Sequence, residues 1–376
     1  VFLNGKELYS QACPDLKPGR IGFYAGQSRC RIKDIVVSGT PVEPASEWTW
    51  NEPPRQWVRV CEDAGNGGYE AFPDACRLAD GRIMAVFYDG YDHVSIPREG
   101  CPRGGRISAA TSADEGRSWS RPLVIFDGPH DDRDPHITQL RDGRLLLTFF
   151  CHQTHTIPGW RGPLLIESSD GGKTWSSPRE LAPGYYVSAP VRELHDGSLL
   201  LGLYSEKEGN AWGAVIRSVD GGKTWSTPAD IDSNGLSLPA ETDVIELLNG
   251  DVFAALRGVK EMAWSRSADG GTTWTPAVSF KCPGHCPYLL RASNNVLLLA
   301  HRLPATSLHW SADEGETWNG PVLVDSVGGA YPSMVNCNDG SVLIVYYEEG
   351  PGSSIRAARL AVTPSEVKVI GIDALP

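Results

Sequence analysis

Acidic, basic and phenolic residues gather where apolar runs begin and end. Glu241 opens one such run, followed by Thr242 and Asp243, and Arg257 stands sixteen positions on. His301-Arg302 ends another run. Tyr331 opens a later one, which ends in Tyr346-Tyr347-Glu348-Glu349. Nearer the N-terminus stand Asp74, then Asp89 and Asp92 on one loop, then Asp131-Asp132-Arg133-Asp134. Guanidinium, carboxylate and phenol groups are expensive to desolvate, so a dry core does not place them at strand ends. Brought together, they can bind an anion, move a proton or attack an electrophile. Left apart, they are solvated loop charges. The elements that carry them decide which.

Those elements repeat. The frame S-x-D-x-G-x-[ST]-W occurs five times, over residues 112–119, 168–175, 218–225, 267–274 and 311–318. Its Asp can accept from following backbone N–H groups, its Gly supplies a positive-φ position, and its Trp can pack back over the turn. A second frame, two apolar runs around a D-G or N-G type turn, starts at Pro73, Pro135, Pro190, Glu241, Pro287 and Pro332. Such runs read as β-hairpins. Two frames in phase at a spacing of roughly 50 residues predict four-stranded blades. The fold expected is all-β, a six-bladed β-propeller over residues 46–376, with the sixth blade lacking the Trp turn. The strand Gln56–Val60 is expected to close the ring on the last blade, leaving no open edge. In a propeller the loops entering the innermost strands line one mouth. The repeated Asp, Gly and Trp therefore belong to the outer rim, and chemistry belongs to residues that break the repeat near the inner-strand starts.

Residues 1–45 follow a different pattern. Val1–Lys6, Gly19–Gly26 and Arg31–Val37 read as strands, similar to the end of a lectin-like jelly roll, and a Pro-containing linker follows. A formal charge of −12 with no basic stripe argues against a nucleic-acid partner. No apolar run reaches the length of a membrane span. Nine scattered cysteines form no disulfide framework, and Cys282-Pro-Gly-His-Cys286 is an isolated metal half-site with no second pair, so neither metal nor cofactor is expected. His93, His136, His152, His155 and His285 could carry protons at the mouth or serve only structure. The chain opens inside a strand-like segment, which implies preceding residues.

Five Trp turns on six predicted blades resemble the sialidase (neuraminidase) superfamily, in which these turns are called Asp boxes. The resemblance covers residues 50–376. It implies a retaining exo-glycosidase acting on a terminal sialic acid or related acidic sugar, a glycan partner, and a secreted or periplasmic location. It also implies roles: Tyr331 as nucleophile, Glu241 as its base, Asp92 as acid/base, Arg257 and Arg302 as carboxylate clamps, and Glu348 holding an arginine. A phenol needs such a base, and a neutral nucleophile avoids repulsion from the substrate carboxylate. One departure stands out. Anchored on Pro73, Ala71 occupies the position of the family's first clamp arginine. Arg133, Arg103 or Arg106 could replace it in space, or the substrate differs. Asp89 and Asp74 are alternative acids, and Asp74 also stands at the substrate mouth. Two other readings remain open: a glycosidase or lyase for a different sugar, and a non-catalytic glycan-binding propeller.

Overall fold

The computed structural model describes residues 2–3, 6–7 and 56–372, apart from 100, 154–158, 208–209, 240, 304, 326–328 and 350–352. The chain divides into two units, residues 1–50 and 51–376. In the first, Phe2–Leu3 pairs antiparallel with Lys6–Glu7. The strands expected over residues 19–26 and 31–37 lie outside the described residues.

The second unit is a six-bladed β-propeller made of six antiparallel sheets. The innermost strands are Tyr69–Arg77, Asp131–Gln139, the split pair Tyr186–Val187 and Arg192–Glu193, Thr242–Glu246, His285–Arg291 and Gly329–Asn336. The second strands are Ile83–Gly90, Leu145–Gln153, Leu199–Lys207, Val252–Leu256, Leu297–Arg302 and Val342–Glu348. Each pair is joined by the hairpin read from the D-G frame. In blade one Leu78 N–H donates to Arg82 O at 2.7 Å, and Gly81 takes φ +91°. Blade five lacks the Gly, and Asn295 adopts φ +68° in its place, as Asn tolerates better than most residues.

Buried apolar residues form six clusters, one between each pair of neighbouring blades. Each blade is therefore held by its two faces, and the second strands are buried almost throughout. The Trp of each repeated turn packs into the cluster shared with the preceding blade: Trp119, Trp175, Trp225, Trp274 and Trp318. The Asp of the turn works as its chemistry predicts. Asp170 accepts from Ser168 Oγ at 2.8 Å, Thr174 N at 2.9 Å and Thr174 Oγ1 at 2.6 Å. The same three bonds recur at Asp114, Asp220, Asp269 and Asp313.

Closure follows the expected route. Trp57–Cys61 pairs with residues 355–358 of blade six, and Val367–Ile370 completes the outer edge along residues 359–362. The first strand of the unit thus seals its last sheet. Among the described residues no helix is long and apolar enough to cross a membrane, and seven cysteines are free thiols.

Candidate active site

The hairpin hydrogen bonds set a common frame for the blades. Leu78, Leu140, Leu194, Leu247, Ala292 and Cys337 each donate N–H to the carbonyl four residues on. Six residues before them stand Phe72, Asp134, Ser188, Glu241, Cys286 and Tyr331, one per blade. In four blades this residue precedes a proline and has positive φ: Phe72 +52°, Asp134 +50°, Cys286 +52° and Tyr331 +47°. Each sits where the strand register slips, between Ala71 and Asp74, Arg133 and His136, His285 and Tyr288, and Ala330 and Ser333. Proline has no N–H to give the ladder, so the bulge costs little pairing there, while a left-handed non-glycine residue costs about 1–3 kcal/mol. The result is a side chain turned out of the sheet's alternation into the mouth. A second ring comes from the ends of the second strands: Tyr88, Phe150, Tyr204, Arg257, Arg302 and Tyr347.

These rings bring together the residues that sequence separates. Tyr331 Oη donates to Glu241 Oε1 at 2.6 Å, across ninety positions of chain. Arg257 Nη1 donates to the same oxygen at 2.8 Å, and Cys286 N–H donates to Oε2 at 2.8 Å. Burial pulls the Glu241 carboxyl upward, but Arg257, the Tyr331 hydrogen bond and Arg302 outweigh it and hold the group below the usual carboxylate range. It is an ionised acceptor. Burial above all, then Cys286, Glu241 and Asp134, pushes the Tyr331 phenol well above its ordinary value, against Arg302. The phenol is neutral at rest and can lose its proton only to a partner already in contact with it.

Arg302 lies 3.6 Å from Glu349 Oε2. Arg133 is buried, 5.1 Å above the Phe72 ring, and contacts Asp131 at 3.6 Å and Asp134 at 3.3 Å. Phe72 in turn packs edge-on to Tyr331, centroids 5.0 Å apart. Of the three arginines that could stand in for the one missing at Ala71, Arg133 alone shares this mouth. Arg106 is bound to Asp89 at 2.7 Å and Ala64 O at 3.0 Å, and Arg103 is exposed beside Asp127.

Three expectations shift. Asp74 does not face the mouth: fully buried, it accepts from Ala75 N at 2.7 Å and Ile137 N at 3.0 Å, tying blade one to blade two. Asp243 ties blade four to blade five in the same way, through Leu289 N at 2.7 Å. In blade one the register slip at Phe72-Pro73 sends Phe72 inward and leaves Asp74 between blades, whereas blade four places Asp243 there with its register unbroken. Glu348 pairs with Arg356 of the third strand rather than with a mouth arginine, and Glu349 is the carboxylate beside Arg302. Asp89 is also structural, bound by Arg106, Ser108 and Asn66. Asp92 is exposed on the loop that leaves blade one at this mouth, and its side chain accepts from the neighbouring His93 N at 2.7 Å.

From sequence, Phe72 and Cys286 have no place at the mouth, and Asp134 and His93 stand there without a fixed role. Asp134 occupies the ring position equivalent to Tyr331 and Glu241, and burial raises its carboxyl to about 6. His93 and Phe72 pack together at 5.4 Å. Counting back six positions from each hairpin leucine or its equivalent finds Phe72 and Cys286 and sets Asp134 apart from its neighbours Asp131 and Asp132. His136 sits 3.4 Å from Asp74, away from the mouth, and His155 is outside the described residues. A cavity of about 690 Å³ lies further along the axis and is lined by Arg77, Arg192, Tyr288, Arg291 and Asn336. Its arginines are neutralised by Glu115, Asp243 and Glu314, so it offers no comparable chemistry. Among the described residues no cluster of His, Cys, Asp and Glu could hold a metal.

Known structures share this architecture. A protein of unknown function from Dyadobacter fermentans is 22% identical, with TM-score 0.69 over 82% of this chain and 100% of its own. The Hadza microbial sialidase Hz136 is 18% identical, with TM-score 0.65 over 81% of this chain and 68% of its own. An α-L-arabinofuranosidase from Fusarium graminearum is 15% identical, with TM-score 0.61 over 83% and 98%. At these identities the likeness is one of fold. No curated protein sequence matches the chain significantly. The BNR repeat-like domain matches residues 92–344, two thirds of the sequence, and the chain belongs to that family.

Proposed function

We propose that the protein is a retaining exo-glycosidase of the sialidase type, acting on a terminal sialic acid or a related acidic sugar. The contact that carries the proposal is the 2.6 Å bond from Tyr331 Oη to Glu241, made beside Arg257 and Arg302. Tyr331 Oη attacks the anomeric carbon while its proton passes to Glu241, which Arg257 and Cys286 N–H keep oriented. A neutral nucleophile suits an anomeric carbon that already bears a carboxylate. Arg257, Arg302 and Arg133 form the cationic side of the mouth and hold that carboxylate. The leaving group departs on the face opposite Tyr331, towards the opening. Asp92, exposed on the blade-one loop at that opening, gives the glycosidic oxygen its proton and later takes one from water. Asp134, on the floor with Tyr331, faces the wrong side for that task and is suited to accept from a sugar hydroxyl.

A second reading, a glycosidase for another sugar, draws on Ala71 and on the aromatic arc of Phe72, Tyr88, Phe150 and Tyr347, which favours a less charged ring. A panel of aryl glycosides separates the two: sialosides against uronides, furanosides and deoxy sugars. The expected result is turnover of the sialoside, reduced at least a hundredfold in Tyr331→Phe. Sialoside turnover unchanged in that variant, or turnover of neutral glycosides alone, overturns the first reading.

A further inference from the structure

Two imidazoles flank the mouth guanidinium groups, and no step above uses them. His93 follows Asp92 on the blade-one loop. Its Nδ1 meets Tyr69 Oη at 2.9 Å, and its ring stands edge-on to Phe72 at 5.4 Å and to Tyr69 at 6.0 Å. Those contacts fix the ring beside the strand position where Ala71 leaves no guanidinium. His285 opens the inner strand of blade five as the direct cross-strand partner of Arg302, and its Nδ1 is buried without a hydrogen-bond partner. It occupies the strand position that Arg133 holds in blade two, just before the bulge.

We infer that His93 and His285 are carboxylate-binding residues of this mouth, so that an acidic sugar enters together with protons. The inference rests on the sialidase-type reading and adds what determines the charge preference of the site. The charged and titratable groups around His93 are Tyr69, Asp92, Arg133 and Arg302; those around His285 are Arg257, Arg302, Glu241 and His301, with Glu349 beyond Arg302. For His93, burial first, then Arg133 and Arg302, lower the imidazole to about 4, against Asp92. For His285, burial, then Arg257 and Arg302, lower it to about 4, against Glu241. Both rings are thus neutral in the resting site at neutral pH. A bound carboxylate neutralises the same guanidinium groups that suppress the imidazoles. Their proton affinity must then rise, and by reciprocity protonation must tighten the carboxylate. The direction is fixed: affinity for the anion rises as pH falls from 7 towards 5, while the sugar acid itself stays ionised. A return of one imidazole towards its ordinary value of about 6.5 tightens binding on the order of tenfold over that range.

The test is calorimetric titration of the intact protein with 2,3-didehydro-N-acetylneuraminic acid and with its methyl ester, which keeps the shape and loses the charge. Titrations at pH 5, 6 and 7 in buffers of different ionisation enthalpy also count the protons taken up. The expected result for the native protein is binding of the acid at least tenfold tighter at pH 5 than at pH 7, with uptake of about one proton or more, and no such slope for the ester. In His93→Gln/His285→Gln most of the slope and the uptake are lost, leaving the part that the Asp134 carboxyl supplies beside Arg133, and each single variant loses part of both. If the native protein binds the acid with no pH slope and no uptake, this inference fails alone, whether or not the variants fold. The same holds if the folded double variant keeps the native slope. Binding of neither acid nor ester at any pH overturns the sialidase-type reading and this inference with it.

Discussion

Glu241→Gln isolates the central contact. Three donors converge on this carboxylate: Tyr331 Oη at 2.6 Å and Arg257 Nη1 at 2.8 Å on one oxygen, and Cys286 N–H at 2.8 Å on the other. Glutamine keeps the shape but has one acceptor oxygen and one NH₂. Whichever way the amide turns, its NH₂ meets a donor, and Arg257 loses its counter-charge. A hydrogen bond to a charged group is worth about 1.5–3 kcal/mol, and the Arg257 side chain is 24% exposed, so water recovers part of the loss. The expected cost in folding free energy is about 2–4 kcal/mol, with the protein still folded. Because the Glu241 carboxyl is held below its ordinary range, its contribution to stability is complete above about pH 5. It is lost only as pH falls through the lowered native value. The stability gap between native protein and variant is therefore constant from pH 5 to 8 and narrows at more acid pH. Catalysis loses its base, which costs a factor of about 10²–10⁴ in kcat/KM. Turnover of an aryl sialoside, with unfolding followed by calorimetry across pH, reads both quantities. A folded Glu241→Gln protein that turns over the sialoside within threefold of the native rate refutes the role given to this carboxylate.

Two further substitutions separate structure from site. Asp74→Ala strands the N–H groups of Ala75 and Ile137 between blades one and two, and should lower folding stability by about 2–4 kcal/mol while KM stays unchanged; a changed KM with no loss of stability would return Asp74 to the mouth. Asp134→Asn removes an acid that burial raises to about 6. A carboxyl raised in the native state makes stability fall as pH rises from about 4 to about 6, so the variant should be more stable than the native protein at pH 7.5 by up to about 3 kcal/mol and nearly equal to it at pH 4. An equal loss at both pH values, followed by chemical denaturation, would mean that hydrogen bonding and not ionisation governs this position.

The architecture was legible because its signals are local. The Ser-Asp-Gly-Trp turn closes its hydrogen bonds within five residues, and each inner hairpin closes around a four-residue turn. Repetition of such short units is enough to count six blades, and the pairing of Trp57–Cys61 with blade six follows from the need to cover an open edge. Tyr331, Glu241, Arg257 and Arg302 were also legible, since each interrupts the apolar pattern at a strand end. Facing was harder to read. Side chains alternate with period two along a strand, so one residue separates Glu349, beside Arg302, from Glu348, which pairs with Arg356. A bulge before the inner-strand prolines resets that alternation, turning Asp134 and Tyr331 into the mouth and Asp74 between blades. Only the closed ring could decide that Arg133 shares a mouth with Ala71's neighbours and that a phenol meets a carboxylate ninety positions away. Those contacts depend on how wedges from different blades converge on one axis, and no residue's own neighbours in sequence carry that information.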